Sequence, residues 1–257
     1  MQLSLNAGVR TVDVDFEKED ELKYLLNLVQ DADIFVQGYR PGVIKKRGLG
    51  LNDLLEMAGK RGKGIIYVEE NCYGPDGPMS ERPGWQQIAD AASGCSYVTG
   101  RSLGHTDGTC VLPALPVPDM LTGMVGTIGA MMAVRDRAIH GGSYHVFASL
   151  MSTASLLLQQ NIGLYSPEVV KRCNDRFKWD KTSPDLFVLE LLDTALKGWE
   201  HALPGYFEKV KTELKGAWGD FQLLKPVIQL ATPEESPHWS SAPEPNCYHG
   251  SGTIAWL

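Results

Sequence analysis

Gly64-Ile65-Ile66-Tyr67-Val68 decides the fold. It is a short apolar run between a glycine and the charged pair Glu69-Glu70, and runs of that length and composition read as strands. Upstream of it, Leu51 to Ala58 carries helical periodicity, with Asn52 as the expected cap. Further upstream, Ile34-Phe35-Val36 reads as a second short buried strand. It follows a helix that begins near Lys18, where Leu22, Leu25, Leu26 and Val29 fall at i, i+3, i+4 and i+7 and build one apolar stripe. Arg10 to Phe16 reads as one more strand, with Val12, Val14 and Phe16 on one face. Strand and helix therefore alternate. Such alternation implies an α/β fold, a parallel sheet with helices packed over it.

Downstream, Asn71 to Pro78 is a turn-rich stretch in which Gly and Pro rule out regular structure. Ile88 to Ala92 starts a short helical or irregular segment ending at Gly94, and residues 100–118 read as a Gly/Pro-rich loop. A long helix is expected from about Asp119 to Arg137, beginning after a proline and ending among basic residues, as helix ends favour. Gly141-Gly142 reads as a hinge, His145 to Leu150 as a strand, and Ser155 to Leu158 as part of an apolar helix. Asp185 to Leu192 and Phe207 to Leu214 read as further helices, and the proline-bearing last thirty residues as an extended arm.

The chain has 257 residues, 43% hydrophobic and 21% charged, and can bury a substantial core. Its formal net charge of −7 argues against a general nucleic-acid binder. The longest apolar candidate, Met120 to Val134, is shorter than a membrane span requires, and no basic-then-apolar leader pattern opens the sequence. A cytoplasmic protein with no membrane partner is expected. The five cysteines are scattered without CxxC spacing, and the six histidines form no HxH or HxxxH pair. Neither a disulfide framework nor a metal site is expected.

Four ordered blocks carry a resemblance. The first is Asp31 to Val43 followed by Arg47-Gly48-Leu49-Gly50. The second is Cys72-Tyr73-Gly74-Pro75-Asp76-Gly77-Pro78, then Arg82-Pro83-Gly84-Trp85, then Ala91-Ala92-Ser93-Gly94. The third is Pro116-Val117-Pro118-Asp119 with Thr122-Gly123, and the fourth is Gly141 to Val146. In order and spacing they resemble the signatures of family III CoA-transferases, a family that includes formyl-CoA:oxalate and carnitine CoA-transferases and 2-methylacyl-CoA racemase. The match spans roughly residues 5 to 155.

The resemblance implies a nucleotide-binding-like sheet domain with helices on both faces, a smaller second domain and two chains interlocked like links. Residues 1–140 are then expected to form the large domain, 141–225 the small one, and 226–257 an arm returning to the large domain. The implied chemistry is CoA transfer between an acyl-CoA and a carboxylate, with Asp119 as nucleophile. Asp119 would form a mixed anhydride, then an aspartyl-CoA thioester. Coenzyme A enters as the acyl-CoA substrate, with no metal. The implied CoA contacts are Arg40, Lys46 and Arg47, with Tyr73 and Gly74 lining the thioester site. Arg is suited to phosphate through its fork of donors.

By its residues alone, Asp119 at a helix start reads as a helix cap, and the basic run as a solvated helix end; the family resemblance turns the reading of Asp119 to a site position. As a site residue, Asp119 is partly stripped of water, while backbone N–H groups and the helix dipole keep it ionised. Gly123 and Gly126 would let a thin pantetheine arm approach. Trp85 and Gln86 stand where the racemase branch carries its base, and neither titrates near neutrality; His105, in a nearby loop, reads as a surface histidine. The chain starts near the family's "LN-x-G-K-R" block (Leu5 to Arg10), so the family's usual first strand is expected to be lacking, as in a truncated product, a short form working with a partner chain, or a descendant with a changed role. A homodimer or partner chain is expected. Acyl-CoA epimerisation and a repurposed, non-catalytic scaffold stand as alternatives.

Overall fold

The computed structural model describes residues 5–7, 9, 12–180, 182–216, 219–228, 230–232, 234 and 236–239. The chain forms two compact units: residues 19–202, and residues 1–18 together with 203–257.

The larger unit is built on a parallel sheet in the order β1 (Ile34–Gln37), β2 (Ile66–Asn71), β3 (Tyr144–Ser149). Side chains alternate across the pleat of β2 and serve two cores. Tyr67 faces α1 (Glu19–Asp31) and α2 (Leu51–Arg61), packing with Val29, Leu54 and Ala58. Ile66 and Val68 face the opposite way, against Ala130 and Ala133 of α5 (Val117–His140). Helices therefore cover both faces of the sheet, as the family resemblance implied.

Helix α5 lies close to the sheet because residues 126 and 129 have no side chains. A β-carbon at Gly129 would lie 2.6 Å from Cγ1 of Val146, on β3. At its far end, Arg137 ties helix to strands: Nη1 donates to the Gly64 carbonyl at 3.0 Å, and Nη2 pairs with Asp33 Oδ1 at 2.9 Å. The helix is longer than the expected span of 119–137. Its 24 residues are long and apolar enough, by length and composition, to cross a bilayer, in contrast to the shorter stretch read from the sequence. Here its inner face rests on the sheet.

Among the described residues five further helices complete this unit: α3 (Gln86–Ser93), α4 (Cys95–Ser102), α6 (Leu150–Leu157), α7 (Pro167–Phe177) and α8 (Val188–Ala202), the last packed against α7. Several expectations change. The loop expected from residue 100 begins inside α4. The cap of α2 is Gly50, whose N–H donates to Asp53 Oδ2 at 2.9 Å; Asn52 lies inside the helix. Helix α7 was not legible as a separate element, although Pro167 and Glu168 are good first-turn residues. Gly141-Gly142 is a turn that leads directly into β3, whose pairing with β2 keeps residues beyond 140 in the sheet. The compact units accordingly part at 18/19 and 202/203.

In the second unit, the helix expected over 207–214 gives way after α9 (Tyr206–Val210) to an antiparallel hairpin, β4 (Lys211–Gly216) and β5 (Gly219–Leu224). The alternation in Lys211-Thr212-Glu213-Leu214 wins over helix propensity once a partner strand is present. Over the expected strand at 10–16, Val12 makes an isolated bridge and residues 13–15 are irregular, while Arg10 and Thr11 lie outside the described residues. Most of the expected arm, residues 240–257, also lies outside them.

Candidate active site

The three parallel strands run the same way, so their carboxyl ends open on one edge, the edge where open α/β sheets bind ligands. Arg40 follows the end of β1 by three residues. The loop carrying Tyr73 and Gly74 leaves the end of β2, and Ser149 closes β3 while its side chain caps α6 by accepting from the Ser152 N–H at 3.2 Å. The β2 loop is pinned by Asn71. Its Oδ1 accepts from the Gly74 N–H at 2.7 Å and its Nδ2 donates to the Gly74 carbonyl at 2.9 Å. Gly74 holds φ +102°, in the region that favours glycine. Half-buried Tyr73 sits beside buried Cys72, whose thiol burial pushes up above its ordinary value.

Asp119 occupies the first turn of α5, but Pro116 is the residue at the cap position, so the capping role is not what Asp119 performs. Its side chain is exposed, yet protein packed around it raises its carboxyl above the usual range by desolvation. The charge of Asp119 acts on Glu70, Cys72 and Asp90, raising all three, in each case after the larger effect of burial. These groups form one neighbourhood at the end of β2.

The glycines behind Asp119 divide in role. Space around Gly123 is open, whereas the space at Gly126 is taken by the carboxylate of Glu70. Only Gly123 leaves room for a ligand arm. The start of α5 is anchored by a buried hydroxyl chain: Thr122 donates to Thr153 Oγ1 at 2.9 Å, and Thr153 donates to the Ser149 carbonyl at 3.0 Å.

The basic residues lie apart from this cluster. Arg40 and Lys46 are exposed, without a side-chain ion pair among the described residues, and Arg47 is half-buried at the end of a short 3-10 turn, Lys45–Arg47. Their place after β1 puts them at the same sheet edge. Trp85 is exposed just before α3. His105 spends Nε2 on the Thr182 hydroxyl at 3.1 Å.

Glu70 and Asp90 went unread in the sequence. Glu70 continues the i, i+2, i+4 series of Ile66 and Val68, so a carboxylate on an inward-facing position was the available signal. Asp90 stands in Ile88-Ala89-Asp90-Ala91-Ala92, an acid within an apolar turn. It is fully buried; Gln86 Nε2 donates to its Oδ2 at 3.1 Å, and Oδ1 has no partner. Among the described residues no group of three or more metal-ligating side chains occurs.

An acyl-CoA transferase of Gibberella moniliformis is 44% identical over 253 residues, covering 96% of this chain and 44% of that protein. The acetyl-coenzyme A transferase nodX of Hypoxylon pulicicidum is 40% identical over 161 residues, 63% of this chain and 27% of that one. The chain thus spans less than half the length of these curated relatives. A CaiB/BaiF family protein from Brucella suis shares the fold, with a TM-score of 0.65 at 17% identity over 94% of this chain and 80% of its own. The profile of CoA-transferase family III matches residues 1–186, and the chain belongs to that family.

Proposed function

We propose that the protein takes part in CoA transfer between an acyl-CoA and a carboxylate, with Asp119 as the nucleophile. The observation that carries this reading is the position of Asp119: exposed, poorly hydrated and next to the open space at Gly123. A carboxylate is a weak nucleophile in water because hydration holds its charge, and partial desolvation removes that hindrance for the ionised fraction. An oxygen of Asp119 attacks the thioester carbon, the C–S bond breaks, and an acyl-aspartyl anhydride and CoA thiolate result. The thiolate then attacks the Asp119 carbonyl, expelling the first carboxylate and leaving an aspartyl-CoA thioester. The acceptor carboxylate reverses these two steps and departs as the new acyl-CoA, restoring Asp119.

In this reading Arg40, Lys46 and Arg47 hold the phosphates of CoA, and the pinned Tyr73-Gly74 loop borders the thioester. A homodimer mate or partner chain belongs to it too, supported by the uncovered apolar side chains of Val36 on β1 and Ile128 and Met131 on α5. A second reading, proton transfer at the α-carbon of an acyl-CoA, is favoured by the raised carboxyl of Glu70 near Asp119.

The decisive experiment treats the protein with an acyl-CoA and then hydroxylamine or borohydride. A modified Asp119 peptide, absent from Asp119→Ala, is the expected result. Transfer that persists in Asp119→Ala would overturn the assignment. Deuterium uptake at the α-carbon without acyl exchange would support the second reading instead.

A further inference from the structure

Beside the start of α5 lies a cavity of about 470 Å³ walled by α4, α7, α8 and the segment 112–117. It is large enough for a small ligand, for which cavities start at about 300 Å³. Leu191, Val169, Ala195, Trp179 and Trp199 give it an apolar lining. Polar groups along its walls are spent on one another. Trp179 Nε1 donates to Asn174 Oδ1 at 3.0 Å, Asn174 Nδ2 donates to the Ser102 carbonyl at 2.7 Å, and Ser102 donates to the Thr99 carbonyl at 2.8 Å.

A smaller space of about 200 Å³ adjoins it, lined by Asp90, Cys95 and Pro118 and sharing Val98, Thr99, Pro113, Val117, Gly163 and Leu164 with the larger cavity. Asp90 thus lines the same small space as Pro118, the residue before Asp119. It is wholly buried and its Oδ1 is unpartnered. An unmet carboxyl oxygen in such a place costs stability, and a ligand group that meets it recovers that cost.

We infer that these two adjoining spaces together bind the acyl group of the thioester, an acyl group with an apolar body that carries a hydroxyl or keto oxygen close to the thioester carbonyl, where Asp90 hydrogen-bonds to it. The inference rests on the reading of Asp119 as the point of acyl attack, because only that reading orients the thioester end toward Asp90 and the apolar tail toward Trp179 and Trp199. Burial raises the Asp90 carboxyl above its ordinary value. Gln86 donates to Oδ2, so Oδ1 is the oxygen left for a ligand. A ligand hydroxyl can accept from a protonated Asp90 and donate to an ionised one.

The test uses the full chain and free acids, so that it does not depend on CoA transfer. Decanoic acid and each enantiomer of 3-hydroxydecanoic acid are titrated calorimetrically. One hydroxylated enantiomer should bind at least about fivefold more tightly than decanoic acid, the ratio one added neutral hydrogen bond provides. Asp90→Leu should reverse that preference, and Asp90→Asn, the fallback if the leucine variant does not fold, should keep it. Ala195→Trp, which fills the cavity, should abolish binding of all three acids while leaving free CoA binding unchanged. Equal affinities in the wild type, no binding at all, or unaffected acid binding in Ala195→Trp would overturn the inference. Failure of thioester exchange with acetyl-CoA, by contrast, would count against the transferase reading and not against the cavity.

Discussion

The carboxylate of Glu70 occupies the space that a side chain at residue 126 would need: a β-carbon on Gly126 would lie 2.7 Å from Glu70 Oε1. A strand carboxylate and a helix glycine thus fit together two turns below Asp119. The obstacle at Gly126 is the tip of a flexible side chain, whereas at Gly129 it is Cγ1 of Val146, held on a strand. Gly126→Ala should therefore displace Glu70 and, with alanine favoured in a helix by up to about 1 kcal/mol, leave stability nearly unchanged. Gly129→Ala should cost about 1–3 kcal/mol through overpacking. Chemical denaturation of both variants separates the two cases, and equal costs would contradict the geometry.

Asp119→Asn should lower transfer by about 10⁴-fold or more, the scale seen when a covalent nucleophile is removed. Because desolvation raises the Asp119 carboxyl, the wild-type single-turnover rate should climb with pH along a limb displaced above the ordinary aspartate value of about 3.9. Only the ionised form attacks, so the sign is a rate that falls on acidification. A limb at or below the ordinary value would be inconsistent with the dry setting of this residue.

Burial raises the carboxyls of Glu70 and Asp90 above their unfolded values. Above the ordinary carboxylate range of about pH 4 the native state then holds more protons than the unfolded state. Stability should therefore decline as pH rises from there through the raised folded values, and level off beyond them. Asp90→Asn removes one contribution and should flatten the slope, each unit of raised pKa being worth about 1.4 kcal/mol. Melting temperatures measured across pH for both proteins check this.

Thr153 both accepts from Thr122 and donates to the Ser149 carbonyl within a buried site. Thr153→Val should leave two buried groups unmet, at a cost of about 1–3 kcal/mol. Thr122→Val leaves the Thr153 donation intact and should cost less, about 0.5–1.5 kcal/mol. The reverse order in urea titrations would show that the chain of hydroxyls does not run this way.

Arg40→Ala should weaken binding of free CoA by about tenfold or more, as expected when a charged phosphate contact is lost. Raising the salt concentration should narrow the gap between variant and wild type, since exposed charges are screened. Calorimetry at two ionic strengths provides the check, and unchanged CoA affinity would remove Arg40 from the proposed phosphate site.

By itself the sequence determined the parallel sheet with helices packed over it, because Ile34-Phe35-Val36, Gly64 to Val68 and the i, i+3, i+4 stripe of α1 are local patterns that set the element type. The burial expected of the first strand is not met, since Ile34 and Val36 are exposed. It also singled out Asp119, through a motif at a helix start. The tertiary structure decided what surrounds that aspartate. The neighbourhood of Glu70, Cys72 and Asp90, the filling of the space at Gly126 and the cavity behind Val117 all arise where β2, α3 and α5 converge. The hairpin at 211–224 likewise needed a partner strand to override helical propensity. Desolvation is the common physical reason: how much water a carboxyl loses depends on packing by segments distant in the chain, so no local pattern announces that its surroundings raise the Asp119 carboxyl.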